Sequence, residues 1–170
     1  MITKGFIQKL RSDFIKAGLK EFKVDLVNII FPYFVLPQSM NQNLQDFALA
    51  MVTEDKSHYL FGVSDSLPEA YRPYWAFHEF VEYVGEPESP ERCVRALERE
   101  LSIVPNEIKP EYLLRRLTFF QNLVRYASGK PDEYAPKQVN KFQKSLSRLE
   151  ELAKLSERIA KFQNRKLILF

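Results

Sequence analysis

The sequence predicts an α+β fold: a small, mostly antiparallel sheet of about three strands, followed by a C-terminal set of four helices. Three observations predict it. Runs rich in Val, Ile, Phe and Tyr cluster between residues 23 and 64, and apolar residues at 3–4 spacing dominate after residue 73. Strands and helices are thus segregated along the chain, which argues against a doubly wound parallel sheet. None of the five glycines stands in a phosphate-loop or dinucleotide-binding pattern.

Composition fits one domain spanning residues 1–170. Apolar residues make up 45% and charged residues 28% of the chain, as in ordinary globular proteins. Fourteen Phe and eight Tyr supply core volume and exclude global disorder. A single cysteine, Cys93, rules out an internal disulfide and fits a reducing compartment. No run is long and apolar enough to span a bilayer, and charged residues interrupt the first apolar stretch. A cytoplasmic location and no membrane partner are expected.

Residues 2–20 have the spacing of an amphipathic helix through Phe6, Ile7, Leu10, Phe14 and Ala17, with Gly18 placed to end it. Lys23 to Leu36 suits a strand buried on both faces, with Pro32 marking a bulge or an end. Phe47–Thr53 and His58–Ser64 flank a four-residue polar turn and predict a hairpin; the first run also fits a helix. Pro73 and Gly85 bound the next helix. Ser89-Pro90-Glu91 starts another that runs to about Ile103, and a third runs from Pro110 to Ser128-Gly129. The last helix, at about 137–164, is long and basic. Residues 130–170 carry ten Lys/Arg against five Asp/Glu, and the chain ends on the apolar Leu167-Ile168-Leu169-Phe170.

The chemistry-bearing stretch is Trp75-Ala76-Phe77-His78-Glu79-Phe80-Val81-Glu82-Tyr83. Residues four apart share a helix face, so His78 and Glu82 can address one atom. Glu79 lies about 100° round the helix, and Glu86 extends the same polar stripe. The bland alternative is a solvated acidic stripe, common on helices. The stripe here is narrow and walled by Phe77, Phe80, Val81 and Tyr74.

This stretch resembles the metal-binding helix of the zincin group of metallopeptidases, whose motif is His-Glu-x-x-His with uncharged flanks. His78 and Glu79 match the first two motif positions, and Glu82 replaces the second histidine. The resemblance extends over about residues 24–103. It implies a peptidase-type, metal-dependent hydrolase of zincin-like fold, or a catalytically inactive relative, acting on a peptide or protein substrate. His78 would be the first metal ligand and Glu79 the catalytic general base for the water that the metal activates. Glu82 would be the second ligand; a carboxylate serves zinc, and its added charge softens selectivity toward manganese or iron. The third ligand is expected from the following helix, Glu98 first and Glu100 next, with Cys93 as a soft-ligand alternative. Tyr126, Tyr112 or Arg116 could stabilise an oxyanion. The strand His58–Ser64 could bind a peptide if it is an edge, and His58 reads as a turn residue. A cysteine peptidase using Cys93 and His78 is less attractive. Cys93 falls inside a predicted helix, away from an activating N-terminus, and its histidine has no orienting partner in view.

The competing function is a non-catalytic interaction or scaffold domain. It would use the C-terminal helix and apolar tail to hold a protein partner, since a free apolar tail is costly in water. Nucleic-acid binding is the weakest option: the net charge is only +3 and no recognition motif is present.

Overall fold

The computed structural model of the chain describes residues 1–86 and 88–168, with side chains described through residue 161. The chain falls into two compact units, residues 1–103 and 104–170. The first unit contains helix α1 (Lys4–Lys16), strands β1 (Glu21–Leu26), β2 (Ile29–Leu36), β3 (Ala48–Val52) and β4 (Tyr59–Ser64), and helices α2 (Arg72–Phe80) and α3 (Arg92–Ile103). The second contains α4 (Lys109–Ser128) and α5 (Pro136–Ile168). Among the described residues the architecture is α+β with a four-stranded mixed sheet and five helices, one strand more than expected.

The extra strand comes from the segment 23–36, expected as one strand. Val27 and Asn28 take positive φ values of 47° and 64° and turn the chain back on itself. β1 and β2 therefore pair antiparallel, with Leu26 opposite Ile29. A two-residue loop with both φ positive matches the right-handed twist of its strands. Asn tolerates that conformation; Val resists it, which is why the turn is hard to read from sequence. Pro32 lies inside β2 rather than at its end. It faces Lys23 of β1, and the parallel pairing with β4 begins only at Phe34. Its missing N–H thus removes no bond of that parallel ladder.

The sheet order is β1-β2-β4-β3, with β2 and β4 parallel and β3 and β4 antiparallel. The predicted hairpin 47–64 is present as β3 and β4. The chain passes from β2 to β3 through residues 37–47, locked by Gln38. Its amide nitrogen donates to the Asn41 and Leu44 carbonyls, and its amide oxygen accepts from the Asp46 N–H and from Ser64 and Ser66.

α1 begins at Thr3, whose hydroxyl accepts the Phe6 N–H at 3.2 Å. It ends at Gly18, with φ +82° and the Leu19 N–H returning to the Phe14 carbonyl. Arg11 ties it to the sheet through Glu21 and the Tyr59 carbonyl. The ring of Phe14 meets that of Phe34 edge-on. On the core face, Phe31 stacks on Phe80 of α2 with centroids 4.6 Å apart. Phe77, Val81 and Ala96 form a buried cluster joined by Leu26, Ile29 and Ile103, so α2 and α3 share one core with the β1–β2 hairpin.

In the second unit, α4 ends at Gly129 and α5 packs back along it, with Leu123, Ala127 and Leu149 buried. Tyr126, Tyr134 and Phe142 form an edge-on aromatic series at the turn. Among the described residues no helix is long and apolar enough to cross a membrane. The side chains of the apolar end 167–170 lie outside the described residues.

Gly62 tests the sheet packing. A Cβ there would lie 2.5 Å from Leu36 Cδ1 and 2.9 Å from its Cγ, and Leu36 is fully buried. Gly62→Val should lower unfolding free energy by about 2 kcal/mol, the usual cost of overpacking. Urea denaturation measures it, and a loss below about 0.5 kcal/mol would show that the β2–β4 contact is loose.

Candidate metal centre

Pro73 stands in the first turn of α2, where its missing N–H costs nothing. The helix buries Trp75, Ala76, Phe77 and His78 in succession. From Val81 to Gly85 the helix widens into a π-helical turn, closed by the Glu86 N–H on the Val81 carbonyl at 2.8 Å. π-turns of this kind recur at functional sites, where they re-aim side chains. Glu82 lies in this turn and Gly85 ends it.

α3 packs against α2 through Cys93, Ala96, Leu97, Glu100 and Leu101, a stripe at 3–4 spacing. That phase sets which polar side chains reach α2. His78, Glu82, Cys93 and Glu100 are 2%, 3%, 2% and 0% exposed. His78 and Glu82 of the polar stripe therefore face the protein interior, while Glu79 and Glu86 are half-buried.

The ring of His78 lies between the two helices. Its Nδ1 is 2.8 Å from Glu100 Oε2, and its Nε2 is 3.2 Å from Glu82 Oε2 and 3.8 Å from Cys93 Sγ. One ligand atom each from His78, Glu82 and Cys93 lie within 4.8 Å of one another. A nitrogen, a carboxylate oxygen and a sulfur at that separation form a donor set for a borderline-soft divalent cation such as zinc. Glu100 supplies what such sites need behind the ligand. A carboxylate on the distal ring nitrogen fixes the tautomer and ring orientation.

Arg92 of α3 also pairs with Glu82. Its Nε is 3.6 Å from Glu82 Oε1, and its guanidinium lies 4.9 Å from the centroid of the Tyr83 ring. Burial pushes the Tyr83 hydroxyl above its ordinary range, and the charges of Glu82, Glu79 and Cys93 push the same way. Tyr83 is thus a neutral phenol, able to donate, at neutral pH.

The sequence-derived candidates divide accordingly. His78 and Glu82 come together. Glu79 follows the ring directly and is half-buried. Glu98, preferred as third ligand, is exposed, because it lies roughly 160° round α3 from Glu100. Cys93 stands beside the His78 nitrogen in its place, and Glu100 backs the ring instead of closing the ligand set. Tyr112, Arg116 and Tyr126 are all on α4, in the second unit. His58 is half-buried at the β3–β4 turn, its Nδ1 2.7 Å from Ser57 Oγ. The strand β4 is hydrogen-bonded on both sides, so it cannot add a peptide strand; β3 is the sheet edge on that side.

Both sequence arguments against a thiol nucleophile change in the structure. Cys93 is the second residue of α3, near the positive end of the helix, and Glu100 orients His78. The sulfur is nonetheless buried, and Glu82 is closer than Cys93 to the same ring nitrogen. Those positions describe converging ligands better than an exposed nucleophile.

The chain matches no protein-family model, no curated protein and no solved structure. The function therefore has to be argued from the site alone.

Two measurements test this geometry. Removing the carboxylate with Glu100→Ala strips His78 of a buried partner and should cost about 3 kcal/mol in denaturant unfolding. Glu100→Gln keeps a hydrogen-bonding group and should cost clearly less; equal losses would mean that the charge is irrelevant. At the β3–β4 turn, Asp55 accepts from the Thr53 and Ser57 hydroxyls and the Ser57 N–H, which lowers its pKa from 3.8 to about 2. A depressed carboxylate stabilises the fold above its ordinary pKa and loses that contribution as pH falls toward the lowered value. Carboxyl NMR should place the Asp55 midpoint at about 2 and move it toward 3.8 in Thr53→Ala. A midpoint near 3.8 in the unaltered protein would contradict the turn network.

Proposed function

We propose that the protein is a metal-dependent hydrolase of zincin-like type, with a zinc-class cation held by His78, Glu82 and Cys93. The observation that carries this proposal is the convergence of those three buried ligand atoms, with Glu100 on the far nitrogen of the ring. Zinc is the favoured ion for a nitrogen, oxygen and sulfur set; the carboxylate keeps iron and manganese in play. Three protein ligands leave a fourth position for substrate or water, as in catalytic rather than structural zinc sites. When bound, the ion supplies Lewis acidity and lowers the pKa of water to about 7.

The other roles fall to this chain's own residues. Glu79, one residue beyond His78, takes the proton from the attacking water and returns it to the leaving group. Tyr83, held as a phenol, donates to the oxygen that gains charge. Arg92 balances Glu82. The substrate class is a peptide. The edge of β3 offers it backbone partners, and β3 packs against α2 and the π-turn that carry His78 and Glu82.

A second possibility has its own observation. The 2.8 Å and 3.2 Å contacts of His78 with two carboxylates also form a buried ionic cluster with a proton in place of the metal. Such a cluster would hold α2 to α3 and do no chemistry.

Equilibrium dialysis against zinc separates the two. The hydrolase proposal predicts about one zinc per chain, with binding weakened more than about 100-fold in His78→Ala and roughly 10–100-fold in Glu100→Gln. Glu79→Gln should keep its zinc and lose at least about 100-fold of any zinc-dependent cleavage of an unstructured protein such as casein. No zinc, iron or manganese on the unaltered protein would leave the ionic cluster as the answer.

A further inference from the structure

We propose that the exposed C-terminal half of α5 docks an amphipathic helix of another protein, one whose apolar seam is edged with Asp or Glu. The proposal is independent of the metal centre. α5 has 33 residues against the 20 of α4. Among its described residues only Ser145 and Leu149 are buried, both in its first half. Every residue from 154 to 161 is exposed, Leu155 at 53% and Ile159 at 50% among them. A helix returns to nearly the same face after about eleven residues. That far beyond Ser145 and Leu149 stand Ser156 and Ala160, which do not continue an apolar face. The large apolar residues instead step round the helix by about 80°, to Leu155 and Ile159, with half-buried Leu152 at the junction. The second apolar stripe thus lies on a different side from the buried one. Apolar side chains lined up on open surface mark an interaction site.

The pattern also says what covers it. Leu152, Leu155 and Ile159 follow the 3–4 step of a coiled-coil seam, and the sequence repeats that step at Phe162. They fit within about 80° of the helix. That is the width of a seam for one partner helix, narrower than the apolar face of a helix lying in a lipid surface. Lys154, Arg158 and Lys161 form a basic stripe along one flank, which Arg165 extends in the sequence. Glu157, the one acidic residue of 154–161, lies on the side opposite the seam. Charges beside such a seam select the partner. This flank attracts a helix with carboxylates at its edge and opposes a second copy, which brings the same cations.

The test uses the full chain and two synthetic helical peptides, each with Leu at the a and d positions of successive heptads. One carries Glu at the flanking e and g positions, the other Lys. Fluorescence anisotropy should show the Glu peptide binding at least about 10-fold more tightly, the combined effect of a few exposed ion pairs. The difference should shrink as salt rises. Leu155→Asp with Ile159→Asp should weaken binding of the Glu peptide by more than about 10-fold, since the seam loses its apolar contacts. Lys154→Glu, Arg158→Glu, Lys161→Glu and Arg165→Glu together should turn the preference to the Lys peptide. Failure of the Glu peptide to bind, or a preference that survives the charge reversal, overturns the proposal. A dimer in sedimentation that Leu155→Asp with Ile159→Asp dissolves would assign the stripe to a second copy. Binding to phosphatidylserine vesicles that the same variant loses would assign it to a lipid surface. Either result overturns the proposal, and none of these outcomes depends on zinc.

Discussion

The contact between His78 and Glu100 joins the two helices on which the site depends. It is 2.8 Å long and sealed from water on both sides. Burying an imidazole and a carboxylate is expensive unless each satisfies the other. The pairing therefore fixes the rotation of α3 against α2. Once Glu100 is turned inward, the 3–4 repeat places Ala96, Leu97 and Cys93 on the same face. Cys93 thus reaches the other nitrogen of the same ring, and one polar contact sets both the packing and the ligand geometry.

The apolar surroundings make that contact specific. Phe77, Val81 and Ala96 close the interhelical core, while Phe31 and Phe80 stack where α2 meets the sheet. Without water to compete, the distances among His78, Glu82 and Cys93 are held by packing rather than by flexible surface chains. The π-turn matters for the same reason. It lets the helix carry Glu82 inward and still end at Gly85, before α3 begins at Arg92.

Much of the fold is legible in the sequence. Gly18, Pro73 and Gly85, and Gly129 mark helix ends because capping and proline rules are local. The β3–β4 hairpin is legible for the same reason. The β1–β2 turn is not, because Val27 adopts a conformation that its branched side chain disfavours. The parallel pairing of β2 with β4 is long-range, and no local pattern encodes it.

On α2, helical spacing makes legible that His78 and Glu82 share a face, and the structure places them 3.2 Å apart. On α3 the preferred Glu98 is exposed. The signal that favours Glu100 was present: it shares a phase with Ala96, Leu97 and Cys93, the apolar stripe that must face inward. A polar residue in phase with the core is more informative than one nearer a family's spacing. What sequence could not supply was the ring itself lying between two helices, with one carboxylate behind it and a sulfur in front. X-ray absorption at the zinc edge of the loaded protein tests that arrangement most directly. The account predicts one sulfur at about 2.3 Å with nitrogen and oxygen at about 2.0–2.2 Å. A first shell without sulfur, or with oxygen alone, would contradict it.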